Sequence, residues 1–175
     1  MSRDGRERGG DAVDDVRSLA QSLGKLLTEC GETIATAESC TGGLIGGALT
    51  SVPGSSDWFA GGVIAYTNDV KSKLLGVPAD LLERHGAVSE AVVSAMARGV
   101  RGATGAGVGI AVSGIAGPAG GTDEKPVGTV CGAIAIGDGC HSTTWRFAGD
   151  REHVRQRTVA AALDGARRRL LDRSR

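Results

Sequence analysis

Short apolar segments of strand length alternate with segments whose apolar residues recur at helical spacing, and this alternation constrains the fold more than any other feature. Apolar residues recur at helical spacing from Val13 to Leu27, and residues 33–37 follow as a β-strand that ends at Glu38 and Ser39. Further strands are predicted at residues 61–66, 107–113, 127–136 and 142–147, and further helices at residues 42–51, 68–75, 78–85, 89–100 and 150–171. This order predicts an α/β fold in which helices cover one mixed sheet.

Glycine is unusually frequent, with 29 of the 175 residues, whereas aromatic residues make up only 3%. Because no Gly-X-Y period exists, a collagen-like chain is excluded, and we expect closely packed elements and loops lined by backbone. The length suits one domain, and neither a repeat nor a linker is visible. We assign residues 12–175 to that domain and expect the polar residues 1–11 to be a disordered extension.

Charge and cysteine content exclude several classes of function. The 20 basic and 20 acidic residues cancel, and no basic face or set of stacking aromatics indicates a nucleic-acid partner. Neither a signal peptide nor an apolar run of membrane length is visible, so we expect a cytoplasmic protein with no membrane partner. The four cysteines form no CxxC pair, and the three histidines lie far from them, so we expect free thiols and neither a metal ion nor a cofactor.

Three polar or glycine-rich segments follow predicted strands, at the sheet edge where ligands collect in α/β proteins. They are residues 38–43 (ESCTGG), 66–71 (YTNDVK) and 113–118 (SGIAGP). Ser39 or Thr41 at a helix start could lie beside backbone N–H groups that hold an oxyanion or phosphate, or simply cap the helix. Lys71 could act as a base for a serine hydroxyl if burial lowers its pKa, or be an ordinary solvated lysine. The third segment could bind an anion through its amides, or be an ordinary glycine loop.

Together with five other segments, these residues resemble the CinA C-terminal domain family, which includes the PncC-type nicotinamide-mononucleotide amidohydrolases. In chain order the matching segments are residues 37–43, 54–59, 66–71, 75–77, 85–90, 113–118, 125–130 and 149–151. They extend over about residues 15–172, and so many matches in the same order are specific to the family. The resemblance implies a single three-layer α/β/α sandwich with a mixed β-sheet.

The resemblance also implies an activity, the hydrolysis of nicotinamide mononucleotide to nicotinic acid mononucleotide and ammonia in pyridine nucleotide recycling. It implies that Ser39 is the nucleophile, aided by Lys71 and Tyr66, with Ser113 and Arg151 near the substrate. Lys71 would accept the serine proton directly or through Tyr66, and Cys40 is the rival nucleophile. The residues expected to bind the substrate are Thr41, Gly42, Gly43, Asn68, Ser113, Gly114 and Arg151.

Two of these expectations follow from the chemistry of the reaction and of the substrate. Amides of residues 40–43, or those of Ser113 and Gly114, would hold the oxyanion. Arg151 would hold the 5′-phosphate of the substrate through two bonds, with a salt bridge at the helix start as the alternative.

A different class of function also fits the family, because its members are tied to competence and DNA-damage responses. In that class the chain would be a non-catalytic regulatory or interaction domain. Many family members carry a larger N-terminal domain related to molybdopterin-binding proteins, and we expect this chain to be the stand-alone deamidase form without it. The resemblance further predicts a homo-oligomer, for which a dimer is the simplest form.

Overall fold

The computed structural model describes residues 7–173, with side-chain surroundings from Asp15 onward. In chain order the elements are α1 Glu7–Cys30, β1 Ile34–Glu38, α2 Leu44–Thr50, a 3₁₀ turn Ser55–Asp57, β2 Phe59–Ile64, α3 Asn68–Leu75, α4 Ala79–His85, α5 Glu90–Thr104, β3 Val108–Gly114, β4 Thr129–Ile136, β5 Gly139–Arg146 and α6 Arg151–Arg173. This order of helices and strands is the one that the sequence predicts.

Helix α1 begins at Glu7, inside the segment 1–11 for which the sequence predicts disorder. No proline lies between Glu7 and Val13, so helix formation there is opposed only by the low propensity of two glycines. Residues 1–6, which are the rest of the predicted extension, lie outside the described residues.

The five strands form one mixed sheet in the order β2-β1-β3-β4-β5. Strand β1 lies between β2 and β3 and is parallel to both, with Glu38 paired with Ile64 on one side and Val112 on the other. Strands β4 and β5 extend the sheet as antiparallel neighbours of β3. After β1 the chain runs first to β2 on one side of β1 and later to β3 on the other side. A crevice therefore forms at the carboxyl ends of these three strands, where α/β sheets bind ligands.

Helices cover both faces of this sheet, which confirms the three-layer arrangement. On one face, α1, α2 and α6 pack on alternate strand residues that include Ile34, Ile110 and Ile134. On the other face, α5 packs with α3 and α4 on the intervening residues, such as Ala35 and Ala111. The larger side chains thus lie on the α1–α6 face and the smaller ones under α5, which brings α5 close to the sheet.

Glycine permits two of the closest backbone approaches on the α5 face. A Cβ atom at Gly109 in β3 would collide with the carbonyl of Ala97 in α5, and one at Gly99 would collide with the carbonyl of Leu75 in α3. The high glycine content therefore serves close packing at these positions, as the composition predicts. Among the described helices, none is long and apolar enough to cross a membrane.

Candidate active site

The three segments singled out in the sequence meet in one cavity of about 230 Å³ at the carboxyl ends of β1, β2 and β3. Seven of the ten predicted site residues line it, namely Ser39, Tyr66, Asn68, Lys71, Ser113, Gly114 and Arg151. Cys40 lines it as well, and Ala87, Val88 and Ala116 give it an apolar wall. These apolar residues were absent from the predicted site because nothing in their local sequence distinguishes them from core residues.

Lys71 and Ser39 are in direct contact inside this cavity. Lys71 lies in the first turn of α3, which is capped by Thr67, whose hydroxyl oxygen accepts a bond from the N–H of Val70. Only 1% of Lys71 is exposed to solvent. Its Nζ donates to the carbonyl oxygens of Ala65 at 2.8 Å and Tyr66 at 3.3 Å, and lies 3.3 Å from Ser39 Oγ.

The three partners of Lys71 suit a neutral amine. No carboxylate is among them, and burial lowers the pKa of Lys71 below its ordinary value of 10.5. A neutral amine has two N–H donors and one lone pair. If the two donors remain on the carbonyls of Ala65 and Tyr66, the lone pair is directed at the third partner, which is Ser39 Oγ. The arrangement can therefore accept the hydroxyl proton of Ser39.

Glu38 is a buried carboxylate that the sequence reasoning did not single out. It is only 2% exposed. Its Oε2 accepts from the Thr41 hydroxyl at 2.7 Å and from the N–H groups of Gly43 and Ile45 at 3.0 Å each. Its Oε1 accepts from the N–H of Gly46 at 2.8 Å. Glu38 thus supplies the cap of α2, whose N-cap position is Gly43 and provides no side chain.

The contacts of Glu38 change the roles expected for Thr41, Gly42 and Gly43. None of the three lines the cavity. The Thr41 side chain is fully buried and directed at Glu38, and the Gly43 N–H is already bound to the same carboxylate. Gly42 and Gly43 adopt positive φ angles of 61° and 100°, which glycine tolerates, and so shape the turn. The Thr41 side chain and the two glycines therefore shape and hold the turn that carries Ser39.

Tyr66 and Arg151 are paired at the mouth of the cavity. Arg151 donates to the Tyr66 hydroxyl at 3.1 Å and to the carbonyl of Gly117 at 2.9 Å. The Tyr66 hydroxyl is therefore engaged with Arg151, and it is the backbone carbonyl of Tyr66 that contacts Lys71. This geometry favours a direct transfer from Ser39 to Lys71 over a relay through the phenol. The alternative salt bridge for Arg151 is not among the ion pairs of the described residues.

Cys40, the rival nucleophile, is poorly suited to form a thiolate. The side chain is 5% exposed, and burial raises its pKa to about 11. The negative charge of Glu38 adds to this rise, whereas Arg155 and nearby backbone N–H groups oppose it. Because the thiolate is the nucleophilic form of cysteine, Ser39 beside Lys71 is the better candidate.

Arg155 is a second residue that sequence reasoning missed. It extends from α6 to the turn after β1, where it donates to the carbonyls of Cys40 at 3.2 Å and Thr41 at 3.1 Å. More than 110 residues separate these partners in the chain, so no local sequence pattern predicts the contact.

Within the described part of the chain, no three His, Cys, Asp or Glu side chains are grouped to hold a metal ion.

Comparisons with known proteins point to one family. A family model described as the CinA C-terminal domain matches residues 16–170. The chain is 61% identical over 160 residues to a CinA-like protein of Parasynechococcus marenigrum, covering 90% of this chain and 38% of that protein. It is 49% identical over 168 residues to a CinA-like protein of Mycobacterium tuberculosis, covering 94% of this chain and 39% of that protein. The chain thus spans about two fifths of the length of these relatives.

Solved structures agree with this similarity. The competence/damage inducible protein of Agrobacterium tumefaciens has a TM-score of 0.84 at 42% identity, over 86% of this chain and 93% of that one. A protein of the competence-damaged (CinA) superfamily from Klebsiella pneumoniae has a TM-score of 0.87 at 35% identity, over 90% of this chain and 98% of that one.

Proposed function

The chain belongs to the CinA C-terminal domain family, and we propose that it hydrolyses nicotinamide mononucleotide to nicotinic acid mononucleotide and ammonia. The observation that carries this proposal is the contact between Ser39 Oγ and the buried Nζ of Lys71, at 3.3 Å in a cavity at the carboxyl edge of the sheet. An amide requires an activated nucleophile, and a hydroxyl next to a desolvated amine is one.

The proposed reaction has two halves. In the first, Ser39 Oγ bonds to the carboxamide carbon while its proton passes to Lys71 Nζ. Lys71 then returns that proton to the leaving nitrogen, ammonia departs, and an ester links the nicotinoyl group to Ser39. In the second half, Lys71 takes a proton from water, the hydroxide displaces Ser39 from the ester, and Lys71 reprotonates the serine. The proposed steps require neither a metal ion nor a cofactor.

The cavity walls fit the two ends of this small-molecule substrate. Ala87, Val88 and Ala116 provide apolar surface for the pyridine ring. Arg151 lies in the same lining, and its two present partners are neutral oxygen atoms, the Gly117 carbonyl and the Tyr66 hydroxyl. A phosphate dianion is a stronger acceptor for a guanidinium than either, so we assign Arg151 to the 5′-phosphate. Ser113 and Asn68 remain as polar groups for the carboxamide and the ribose.

The deciding experiment measures ammonia release from nicotinamide mononucleotide by the purified protein. We expect turnover by the unaltered chain and its loss in Ser39→Ala, because the alanine variant has no nucleophile. Ser56→Ala is the matched control, since Ser56 is exposed and outside the cavity lining, and should retain full turnover. Absence of ammonia release by the unaltered protein would overturn the proposal in favour of a non-catalytic interaction domain. Equal turnover by Ser39→Ala would instead remove the serine mechanism.

A further inference from the structure

The turn that carries Ser39 contains more backbone N–H groups than an oxyanion can use, and most of them are already bound. The Ser39 N–H donates to the carbonyl of Val112, and the Gly42 N–H donates to the carbonyl of Ser39. The N–H groups of Gly43, Ile45 and Gly46 donate to Glu38. The Leu44 N–H donates to the carbonyl of Thr41. Among the described contacts of this turn, the N–H groups of Cys40 and Thr41 are the two without an oxygen acceptor.

Both of these N–H groups lie next to the Cys40 thiol, where they hold its pKa down against the effect of burial. That thiol lines the cavity beside Ser39. A hydrogen-bond donor directed at a neutral thiol has a weak acceptor, so a developing oxyanion in the cavity would be a better one.

The orientation of each N–H group is fixed through the carbonyl of the same peptide unit. In a trans peptide the C=O and the following N–H lie in one plane and point in opposite directions. The Ser39 carbonyl is held by the Gly42 N–H, and this bond fixes the direction of the Cys40 N–H. The Cys40 carbonyl is held by Arg155 Nε at 3.2 Å, which directs the Thr41 N–H away from α6.

We propose that Arg155 is a positioning residue that fixes the Cys40–Thr41 peptide unit so that its N–H group serves as an oxyanion donor. This inference rests on the proposed hydrolysis and adds a residue to it. Arg155 is itself well held, since a second nitrogen bonds the Thr41 carbonyl at 3.1 Å and a third bonds Glu152 at 3.1 Å. The guanidinium also polarises the peptide unit, because a cation bound to the carbonyl oxygen draws electron density from the N–H at the other end and makes it a stronger donor.

The test replaces Arg155 and separates kcat from KM for nicotinamide mononucleotide. Loss of an oxyanion donor costs ~100- to 1,000-fold in kcat, so loss of its orientation should cost ~10- to 100-fold in Arg155→Met. KM should change little, because the oxyanion forms only after binding. The kcat of Arg155→Lys should lie between those of the unaltered protein and Arg155→Met, since an ammonium group reaches one carbonyl but lacks the planar fork of a guanidinium. Added guanidinium ion should restore part of the kcat lost in Arg155→Ala.

The matched control is Arg157→Met, which removes an exposed arginine of the same helix that makes none of these bonds to the turn. All rates are measured per folded protein well below the unfolding temperature. If Arg155 only fastens α6 to the turn, Arg155→Met will unfold at lower temperature yet keep the kcat of the control. That result, or a rise in KM at constant kcat, would overturn the proposal.

A second readout separates this inference from the choice of substrate. Phenylmethanesulfonyl fluoride modifies an activated serine: an Oγ–S bond forms, the S–F bond breaks with loss of fluoride, and the hydroxyl proton passes to Lys71. Charge develops on a sulfonyl oxygen during the attack. We expect labelling of Ser39 and a slower rate in Arg155→Met, whether or not nicotinamide mononucleotide is hydrolysed. If labelling occurs without hydrolysis, the substrate is wrong and the role of Arg155 stands. Equal labelling rates in the two proteins, or no labelling of either, would overturn the role of Arg155.

Discussion

Lys71 lies in an environment that a lysine side chain ordinarily avoids. A lysine that is 1% exposed, with carbonyls and a hydroxyl as partners and no carboxylate, is destabilised as an ammonium ion. Burial accordingly lowers the pKa of this lysine. Such a group is costly for folding unless the neutral form is used, which is why its position beside Ser39 points to proton transfer.

Replacing Lys71 by arginine distinguishes a base from a simple positive charge. Arginine remains protonated and cannot accept the Ser39 proton, so Lys71→Arg should lose ~100- to 10,000-fold in kcat. Lys73→Arg is the matched control on the same helix, because Lys73 is exposed and paired with Asp69 at 2.9 Å. Near-normal turnover in Lys71→Arg would remove the base assignment while leaving Ser39 as nucleophile.

The same group predicts the direction of the pH dependence. The neutral fraction of Lys71 rises with pH, so kcat/KM should increase with pH. It should level off above an apparent pKa that is lower than 10.5. Stability depends on pH through the same residue, because the pKa of Lys71 is lower in the folded protein than in the unfolded chain. The free-energy cost of burying its charged form is therefore fully present below the folded pKa. It is relieved between the folded pKa and 10.5, where stability should rise with pH. Activity that falls across this window while the fold persists would contradict the assignment.

At the scale of single elements, the sequence predicts existence and order well and boundaries less well. Strand β2 was expected at residues 61–66 and lies at Phe59–Ile64. Its last pairing is that of Ile64 with Glu38, and beyond it the carbonyls of Ala65 and Tyr66 are bound by Lys71. The capping of α2 by Glu38 also escaped the sequence reasoning, although one signal existed. A helix that starts at glycines without an N-cap side chain needs an acceptor from elsewhere, and a carboxylate stood at the end of the preceding strand.

Glu38→Gln should destabilise the protein through the start of α2. Glu38 accepts from four donors through two oxygens, whereas glutamine has only one side-chain oxygen. At least one buried N–H therefore loses its acceptor and faces an NH₂ group. The expected loss is at least ~1–3 kcal/mol in the free energy of unfolding, measured by urea titration. Glu29→Gln is the control, since Glu29 is 55% exposed and paired loosely with Lys25 at 3.8 Å, and should change stability by less than ~0.5 kcal/mol. Equal stability of the two variants would show that Glu38 is not the cap on which the turn depends.

At the scale of the whole molecule, the resemblance of ordered motifs named more of the residues that line the cavity than periodicity did. Spacing alone allowed two roles for each residue: Ser39 could be a nucleophile or a helix cap, and Lys71 could be a base or a solvated side chain. Their contact is set by the parallel pairing of β1 with β2, which no local pattern encodes. The contact from Arg155 to the turn likewise depends on how α6 lies across the sheet. Self-association and the cytoplasmic location remain predictions, and sedimentation at micromolar concentration tests the first.

The two cores share one sheet, and this predicts a single cooperative unfolding transition. Met96 of α5 is fully buried in the core between α5 and the sheet, whereas Trp58 is 5% exposed in the core on the opposite face. Met96→Ala should lower the free energy of unfolding by ~2–5 kcal/mol, and Met96→Leu, which conserves volume, by less than ~1.5 kcal/mol. Because both faces are built on the same strands, Trp58 fluorescence should report the full loss, in step with far-UV circular dichroism. The measurement is best made in a Trp145→Phe background, so that all tryptophan fluorescence comes from Trp58. A Trp58 transition that stays in place while circular dichroism shifts would show that the two layers unfold separately.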